Sequence, residues 1–219
     1  MKMKIALPLL ASLAVPATSH AVIVQIDPDD YAAGTDISHA WSGVTLSAVG
    51  TLIDGGSIAA QIYSTEASSI DAALNASTGT RIFNVDPIQL FPHDWLIGEM
   101  RVDFATATDY VALDFIGYQD PNNLPSEDVG LGVLAAYDAS DTLIGQVNTS
   151  SLLLNDVQTL SISSMSSNIA YITARRQGID TPVLLDNLEY NAVPLPASIW
   201  LFASGLAFIA TRKRRNSRR

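Results

Sequence analysis

Short stretches of alternating apolar and polar residues, separated by turn residues, fill the chain from about residue 22 to residue 190. Met100, Val102 and Phe104 alternate with Arg101 and Asp103, and a similar alternation runs through residues 111–115. An apolar side chain at every second position is the pattern of a half-buried strand. About ten such strands are predicted, with no strong helical periodicity before the C-terminal tail. The pattern therefore predicts an all-β fold, an antiparallel β-sandwich.

The number of strands favours a jelly-roll-like sandwich over an immunoglobulin-like one. Ten strands in roughly 170 residues exceed the seven strands that are usual for an immunoglobulin-like domain. Residues 58–63 are predicted as one strand and residues 183–190 as the last. Alternation within this last strand predicts that Asp186 shares a face with Leu184, Leu188 and Tyr190.

The last 27 residues combine a proline motif, an uncharged run and a basic end. Residues 195–211 contain no charge, and six of the last eight residues are Lys or Arg. Seventeen residues are at the short end of what crosses a bilayer as a helix, so a buried core helix is the alternative. A core helix does not need a basic terminus, whereas Lys and Arg stay on the cytoplasmic side of a membrane helix. The tail therefore predicts a transmembrane helix that ends in the cytoplasm.

The N-terminus predicts a secretory signal peptide. Lys2 and Lys4 precede an apolar stretch, and Ser19 and Ala21 supply small side chains at positions −3 and −1 of a cut. A cut after Ala17 is the alternative. The predicted organisation is a signal peptide at residues 1–21, a β-sandwich domain at residues 22–191 and a sorting segment at residues 193–219, with the body outside the cytoplasm.

Residues 193–206, VPLPASIWLFASGL, resemble the PEP-CTERM sorting signal in its Val-Pro-Leu-Pro-Ala variant, formed here by Val193, Pro194, Leu195, Pro196 and Ala197. Leu195 stands where the family usually has a glutamate. The resemblance implies a Gram-negative bacterial protein that an exosortase, a membrane-embedded cysteine transpeptidase-like enzyme, recognises and cleaves near the motif. It also implies an inner-membrane anchor before processing and the outer envelope or extracellular matrix afterwards. The body resembles the β-sandwich cargo common in this family.

Charge and cysteine content limit the function of the body. Once both ends are set aside, four arginines stand against all 22 acidic residues, a formal net charge of −18. Such a body repels nucleic acid and anionic lipid surfaces, so a nucleic-acid partner is excluded. The chain has no cysteine, which excludes disulfides, thiol chemistry and cysteine metal sites.

Carboxylates cluster in the loop after the first predicted strand, at Asp27, Asp29, Asp30 and Asp36. Carboxylate oxygens are the ligands that calcium prefers, and a buried Asp186 would need a hydrogen-bonded or metal partner. By analogy with exported jelly-roll modules, a calcium ion would join Asp30 to Asp186. The alternative is a solvated loop and an Asp186 that bonds to backbone amides. Calcium is the one cofactor that the sequence suggests.

Aromatic rings beside amide groups or carboxylates are typical of carbohydrate sites, and the candidates are Trp41, Trp95, Tyr118 and Asn122. The favoured hypothesis is a structural or carbohydrate-binding protein of a biofilm matrix, with exopolysaccharide as its partner. The rival is a secreted carbohydrate-active hydrolase that uses two carboxyl groups roughly 5 to 10 Å apart. Motifs of serine hydrolases, zinc proteases and phosphate-binding loops are missing from the sequence. No catalytic residue is predicted, and the chain is not expected to be an enzyme.

Overall fold

Two antiparallel sheets make up nearly all of the regular structure in a computed structural model of the protein, which describes residues 22–51, 57–70, 75–85, 97–117, 131–166, 168–177 and 184–192. Within these ranges lie a 3-10 turn at Pro28–Asp30, a short helix, α1 (Ala67–Ile70), and twelve strands: β1 (Val22–Ile26), β2 (Val44–Thr51), β3 (Ser57–Ala60), β4 (Ile62–Glu66), β5 (Arg81–Val85), β6 (Ile97–Thr108), β7 (Tyr110–Ile116), β8 (Leu131–Tyr137), β9 (Leu143–Asn148), β10 (Val157–Ser163), β11 (Ile169–Gln177) and β12 (Leu184–Ala192).

Each sheet has six strands. Sheet A has the order β10, β7, β12, β5 and β4, with β1 also paired to β12, and sheet B has the order β3, β2, β6, β11, β8 and β9. The first and last strands are joined by a backbone ladder that runs from Val22 opposite Ala192 to Ile26 opposite Leu188. The prediction of an all-β chain with antiparallel sheets is confirmed.

The main core lies between the inner faces of the two sheets. Met100, Val102 and Phe104 of β6 are buried in it, as their alternation predicts. They meet side chains of sheet A, and each large apolar side chain that is fully buried contributes roughly 1.5–3 kcal/mol. The largest fully buried members of this core include Leu46, Ile172, Leu113, Phe115 and Leu188.

The prediction of one strand at residues 58–63 is wrong. The chain leaves sheet B after Ala60 and enters sheet A at Ile62, so β3 and β4 belong to different sheets. Gln61 between them is exposed, whereas Ile62 is buried, so the alternation continues through the corner. Because neither Gly nor Pro marks this corner, periodicity cannot reveal it.

The outer face of sheet A is covered by α1 and residues 75–80. Strand β7 is consequently buried on both faces, and Ala112, Asp114 and Ile116 on its outer face are 2%, 6% and 3% exposed. Ile116 belongs to a second, smaller apolar cluster together with Ala67, Ile82 and Leu184. The sequence predicts burial of one face of β7, and the covering segment buries the other.

A β-bulge in β12 corrects the predicted placement of Asp186. Asn187 has a positive φ of 47°, and the register against β7 shifts between Asp186 and Leu188. Asp186 shares the outer face of sheet A with Leu184, but Leu188 and Tyr190 face the main core. One inserted residue reverses the faces of all residues that follow it.

The two ends of the chain lie outside the described residues, including the predicted signal peptide at residues 1–21 and the predicted helix of residues 193–219. In the described ranges, no helix has the length and apolar character needed to cross a bilayer.

Candidate functional site

The solvent-facing side of sheet B carries a row of aromatic, charged and hydroxyl side chains. Strand pairing places Thr45 of β2 opposite Asp103 of β6, Asp103 opposite Tyr171 of β11, and Tyr171 opposite Tyr137 of β8. Paired residues point to the same face of a sheet, and Arg101 shares that face because it is two residues from Asp103. We call Tyr137, Tyr171, Arg101, Asp103 and Thr45 the outer-face strip.

Tyr171 lies at the centre of this strip, between Tyr137 and Arg101. The two tyrosine rings stack with centroids 4.8 Å apart and planes 11° apart, and the guanidinium carbon of Arg101 is 3.7 Å from the Tyr171 centroid. Tyr171 is 8% exposed, and its hydroxyl donates a hydrogen bond to Asp141 at 3.0 Å. Burial, assisted by this hydrogen bond, raises the pKa of the Tyr171 phenol. Tyr171 is therefore a neutral, rigid support for Arg101.

Arg101 and Asp103 form a two-pronged ion pair. Nη2 of Arg101 is 2.7 Å from Oδ1 of Asp103, and Nε is 3.0 Å from each carboxylate oxygen. The hydrogen bond to Asp103 raises the pKa of the Arg101 guanidinium, which stays charged. The Asp103 side chain keeps 41% of its surface exposed. Its carboxylate is thus held in one orientation while it stays open to a ligand.

Asp103 also lines a cleft of about 400 Å³, a volume in the range of small-ligand sites. Two elements form the cleft, namely the loop before β2 together with the start of that strand, and the middle of β6. The lining residues are His39, Trp41, Gly43, Val44, Thr45, Asp103, Phe104 and Ala105.

Trp41 packs against the core and also lines this cleft. Its ring makes an edge-to-face contact with Tyr31, with centroids 5.0 Å apart and an interplanar angle of 77°. The loop that carries Trp41 is tied to β6 because the carbonyl of Gly43 accepts a hydrogen bond from the N–H of Ala105 at 2.8 Å. Gly43 has a φ of 82°, which a side chain would disfavour. The indole is therefore held in place before a ligand arrives.

A flat apolar ring, a carboxylate, an imidazole and a hydroxyl share this cleft. An aromatic ring presents a flat apolar surface, and the polar groups can exchange hydrogen bonds with ring hydroxyls. Groups of these kinds can contact both the apolar face and the hydroxyl groups of a sugar ring. Of the predicted ligand-binding residues, Trp41 lies here, whereas Trp95, Tyr118 and Asn122 lie outside the described residues.

The acidic loop uses its carboxylates to hold backbone. Asp27 caps the 3-10 turn by accepting a hydrogen bond from the N–H of Asp29 at 2.8 Å. Asp29 accepts from the N–H of Thr80 at 3.0 Å, and Asp36 accepts from the N–H two residues further on at 2.9 Å. Asp30 is exposed.

The structure does not bring the predicted calcium ligands together. Calcium takes six to eight oxygens, and no three acidic or histidine side chains converge within the described ranges. Backbone hydrogen bonds between β1 and β12 join the first and last strands. The sequence prediction assigns this connection to a calcium ion between Asp30 and Asp186. As placed here, these residues do not fit a shared calcium site, and calcium binding stays a prediction.

Asp186 has no exposed surface and accepts hydrogen bonds from the turn that covers sheet A. Its Oδ2 accepts from the backbone N–H groups of Ser77 and Thr78, each at 2.9 Å, and its Oδ1 accepts from the N–H of Asn187 at 2.8 Å. The Ser77 hydroxyl lies 2.8 Å from Asp114 and 2.9 Å from Asp186. Backbone amides therefore satisfy this buried carboxylate.

Burial raises the pKa of the Asp186 carboxyl, and the charge of Asp27 adds a smaller increase. The folded protein thus binds the proton of the Asp186 carboxyl group more tightly than the unfolded chain does. The stability that this protonation contributes is complete below the ordinary pKa of 3.8 and is lost as pH rises through the pKa of the folded state. We expect the difference in unfolding free energy between the wild type and Asp186→Asn to fall as pH rises above about 4. Urea denaturation across a pH series measures it, and a difference independent of pH would contradict the expectation.

The C-terminal segment is identified by its sequence. The family model of the PEP-CTERM protein-sorting motif matches residues 192–215. The chain carries a PEP-CTERM sorting motif. The match contains the predicted motif residues Val193, Pro194, Leu195, Pro196 and Ala197, which lie outside the described residues.

The PEP-CTERM motif marks an exported protein that is anchored in the membrane before processing, and it implies processing by an exosortase. It does not describe the activity of the β-sandwich.

The solved structures that are similar to the chain include two adhesin domains and one carbohydrate binding module. A cleaved adhesin domain of Lys-gingipain is 12% identical with a TM-score of 0.47, over 78% of this chain and 100% of that chain. Another, from Porphyromonas gingivalis, is 11% identical with a TM-score of 0.35, over 78% and 98%. A mutant of CBM29-2, a family 29 carbohydrate binding module, is 9% identical with a TM-score of 0.35, over 78% and 93%. The curated proteins contain no match.

The sequence does not single out Arg101, Asp103 or Tyr171 as site residues. The alternation of β6 does place the first two on the solvent face, which is a usable signal. Their partners on β2 and β11 come from distant parts of the chain, and alternation within one strand does not reveal which strand lies beside it.

Proposed function

We propose that this PEP-CTERM protein is an exported, jelly-roll-like β-sandwich, residues 22–191, that binds carbohydrate in the cleft beside Trp41. Its role is structural or adhesive, and its partner is exopolysaccharide of a Gram-negative cell envelope or extracellular matrix. Residues 1–21 are a signal peptide that is removed on export. Residues 193–219 supply the proline motif, a transmembrane helix and a basic tail.

One observation carries the binding proposal, namely that Trp41 and Asp103 line the same cleft and that both are rigidly supported. Trp41 is supported by Tyr31 and the core, and Asp103 is supported by Arg101, which itself lies against Tyr171. A site whose groups are held before binding loses less conformational entropy when the ligand arrives.

The rival function, a hydrolase with two acidic residues, has no comparable support in the part of the chain that the structure describes. Asp114 and Asp186 are close to each other, but both are buried, and Ser77 and Thr78 bond to them from the covering turn. A glycan does not reach a pair in that position. In the cleft, the described lining residues supply one carboxyl group, that of Asp103, which forms an ion pair with Arg101, whereas such a hydrolase needs two.

Calorimetric titration of the purified protein with a neutral β-glucan oligomer and with bacterial exopolysaccharide tests the binding function. We expect saturable binding without release of reducing sugar. His39→Ala removes an exposed cleft wall and is expected to weaken binding a few-fold. Sugar release during the titration would favour the hydrolase, and a lack of binding to either glycan would contradict the proposal.

The sorting proposal concerns Pro194 and Pro196. We propose that the protein is anchored in the inner membrane with its body in the periplasm until an exosortase cleaves near these residues. We expect the double variant Pro194→Ala and Pro196→Ala to accumulate at its uncleaved size in the membrane fraction. Immunoblots of cell fractions measure this. The matched control replaces Pro121 and Pro125, which lie outside the motif, and is expected to be processed normally. Normal processing of the motif variant would contradict the proposal.

A further inference from the structure

We propose that the cleft beside Trp41 selects glycans without acidic groups and binds most tightly those whose rings carry free amino groups. This inference rests on the proposed carbohydrate binding and specifies the chemical class of the ligand. Three features support it: the charge of residues 22–191, the pairing of the arginines whose side chains the structure describes, and the carboxylate in the cleft.

The charge of the body opposes acidic glycans. Residues 22–191 contain 22 acidic residues and four arginines. A net charge of −18 creates a negative potential that repels polyanions and attracts cations at a distance. Polymers of uronic acid would approach this surface against repulsion, whereas polymers of amino sugars would be attracted.

The arginine side chains that the structure describes are all paired with carboxylates. Arg81 lies 2.9 Å from Glu66, Arg101 lies 2.7 Å from Asp103, and Arg175 lies 4.0 Å from Glu99. Recognition of a uronate or sulfate ester relies on an arginine or lysine whose donors are available. To bind an acidic sugar, Arg81 or Arg101 would have to release the carboxylate of the protein that it contacts.

The cleft itself offers an acceptor for a cation. The Asp103 carboxylate is 41% exposed, and the ion pair with Arg101 fixes its orientation. Asp141 also interacts with Arg101, so this end of the outer-face strip has two carboxylates for one guanidinium. An ammonium group can donate hydrogen bonds to Asp103 while the indole of Trp41 provides a favourable aromatic face. A protonated amino sugar matches both groups.

Calorimetric titrations of the purified protein with three oligomers of equal length test this inference. The probes are oligomers of glucosamine, N-acetylglucosamine and galacturonic acid, in mildly acidic buffer that keeps the sugar amines protonated. We expect affinity to fall in that order, with the glucosamine oligomer about fivefold or more above the galacturonic acid oligomer. The preference should shrink as salt is added.

The variants Asp103→Asn and Asp156→Asn distinguish the effect of the cleft carboxylate on ligand preference from the effect of the overall charge. Both variants remove one negative charge, but Asp156 is exposed in the loop before β10, in the other sheet. We expect Asp103→Asn to abolish or reverse the preference for the amino sugar, because it also releases Arg101. Asp156→Asn should keep the preference. Equal loss in both variants would overturn the assignment to the cleft.

The outcomes distinguish the two proposals. If none of the three oligomers binds and the β-glucan oligomer and exopolysaccharide do not bind either, the proposed carbohydrate binding fails; if only the three oligomers fail to bind, the inferred ligand class is overturned. If the galacturonic acid oligomer binds as tightly as the glucosamine oligomer or more tightly, carbohydrate binding stands and the inferred ligand class is overturned.

Discussion

Replacement of Asp186 by alanine is expected to lower the free energy of unfolding by about 3 kcal/mol. The carboxylate accepts hydrogen bonds from the N–H groups of Ser77, Thr78 and Asn187, and alanine leaves these buried donors without their acceptor. The loss should spread, because the same turn covers the outer face of sheet A. Release of that turn would expose the small cluster around Ile116.

Urea denaturation of the purified protein measures this loss. The control is Asp30→Ala, which removes an exposed carboxylate of the acidic loop and should change the unfolding free energy by less than about 0.5 kcal/mol. Repeating the denaturation with a calcium chelator tests the predicted calcium role of Asp186, because hydrogen bonds to backbone amides alone leave the difference between the wild type and Asp186→Ala unchanged. A chelator effect on the wild type that disappears in Asp186→Ala would instead assign calcium to Asp186. A loss for Asp186→Ala no larger than that of the control would contradict the hydrogen-bonded role.

Trp41→Ala is expected to lower the affinity for glycan oligomers at least about tenfold. The indole of Trp41 lines the cleft and is held by Tyr31, so its loss removes a pre-positioned stacking surface. The polar groups Asp103 and Thr45 would be left to bind a hydrated ligand with hydrogen bonds alone, which contribute little net free energy in competition with water.

Calorimetry with folded protein measures the affinity loss. Because Trp41 also packs against the core, the alanine variant should lose about 2 kcal/mol of stability, and titrations belong well below its melting temperature. Trp41→Phe keeps a flat ring and should have intermediate affinity. Leu143→Ala, which trims an exposed side chain on β9, should bind like the wild type. An unchanged affinity in folded Trp41→Ala would contradict the role of the cleft.

The strands could be predicted from the sequence because one side of each sheet faces a core. In β6 the side chains of Met100, Val102 and Phe104 meet sheet A while Arg101 and Asp103 meet solvent, and alternation records this difference directly. The prediction fails where the chain changes sheet or inserts a residue without a Gly or Pro. The corner at Gln61 and the bulge at Asn187 are such places.

The burial of Asp186 has a different cause from the one that alternation suggests. Alternation groups it with core-facing residues of its strand, yet it lies on the opposite face and is buried by Ser77 and Thr78. Ser77 and Thr78 are polar turn residues, and no apolar pattern in the sequence predicts that they cover a sheet. The functional site could be predicted only in part from the sequence, for a similar reason. Trp41 can be found by residue type, but Thr45, Asp103 and Tyr171 become neighbours only through pairing between strands that are distant in the sequence.

Mapping of chemical-shift changes in isotope-labelled protein during titration with a glucosamine oligomer locates the carbohydrate site on the folded protein. We expect the backbone signals of Thr45, Asp103 and Ala105 to shift with a common saturation curve, because these residues line the cleft. Signals of β9 and β10, at the far edges of the two sheets, should stay in place. Saturable shifts confined to those edge strands, with none at the cleft, would contradict the claim that the cleft beside Trp41 is the carbohydrate site.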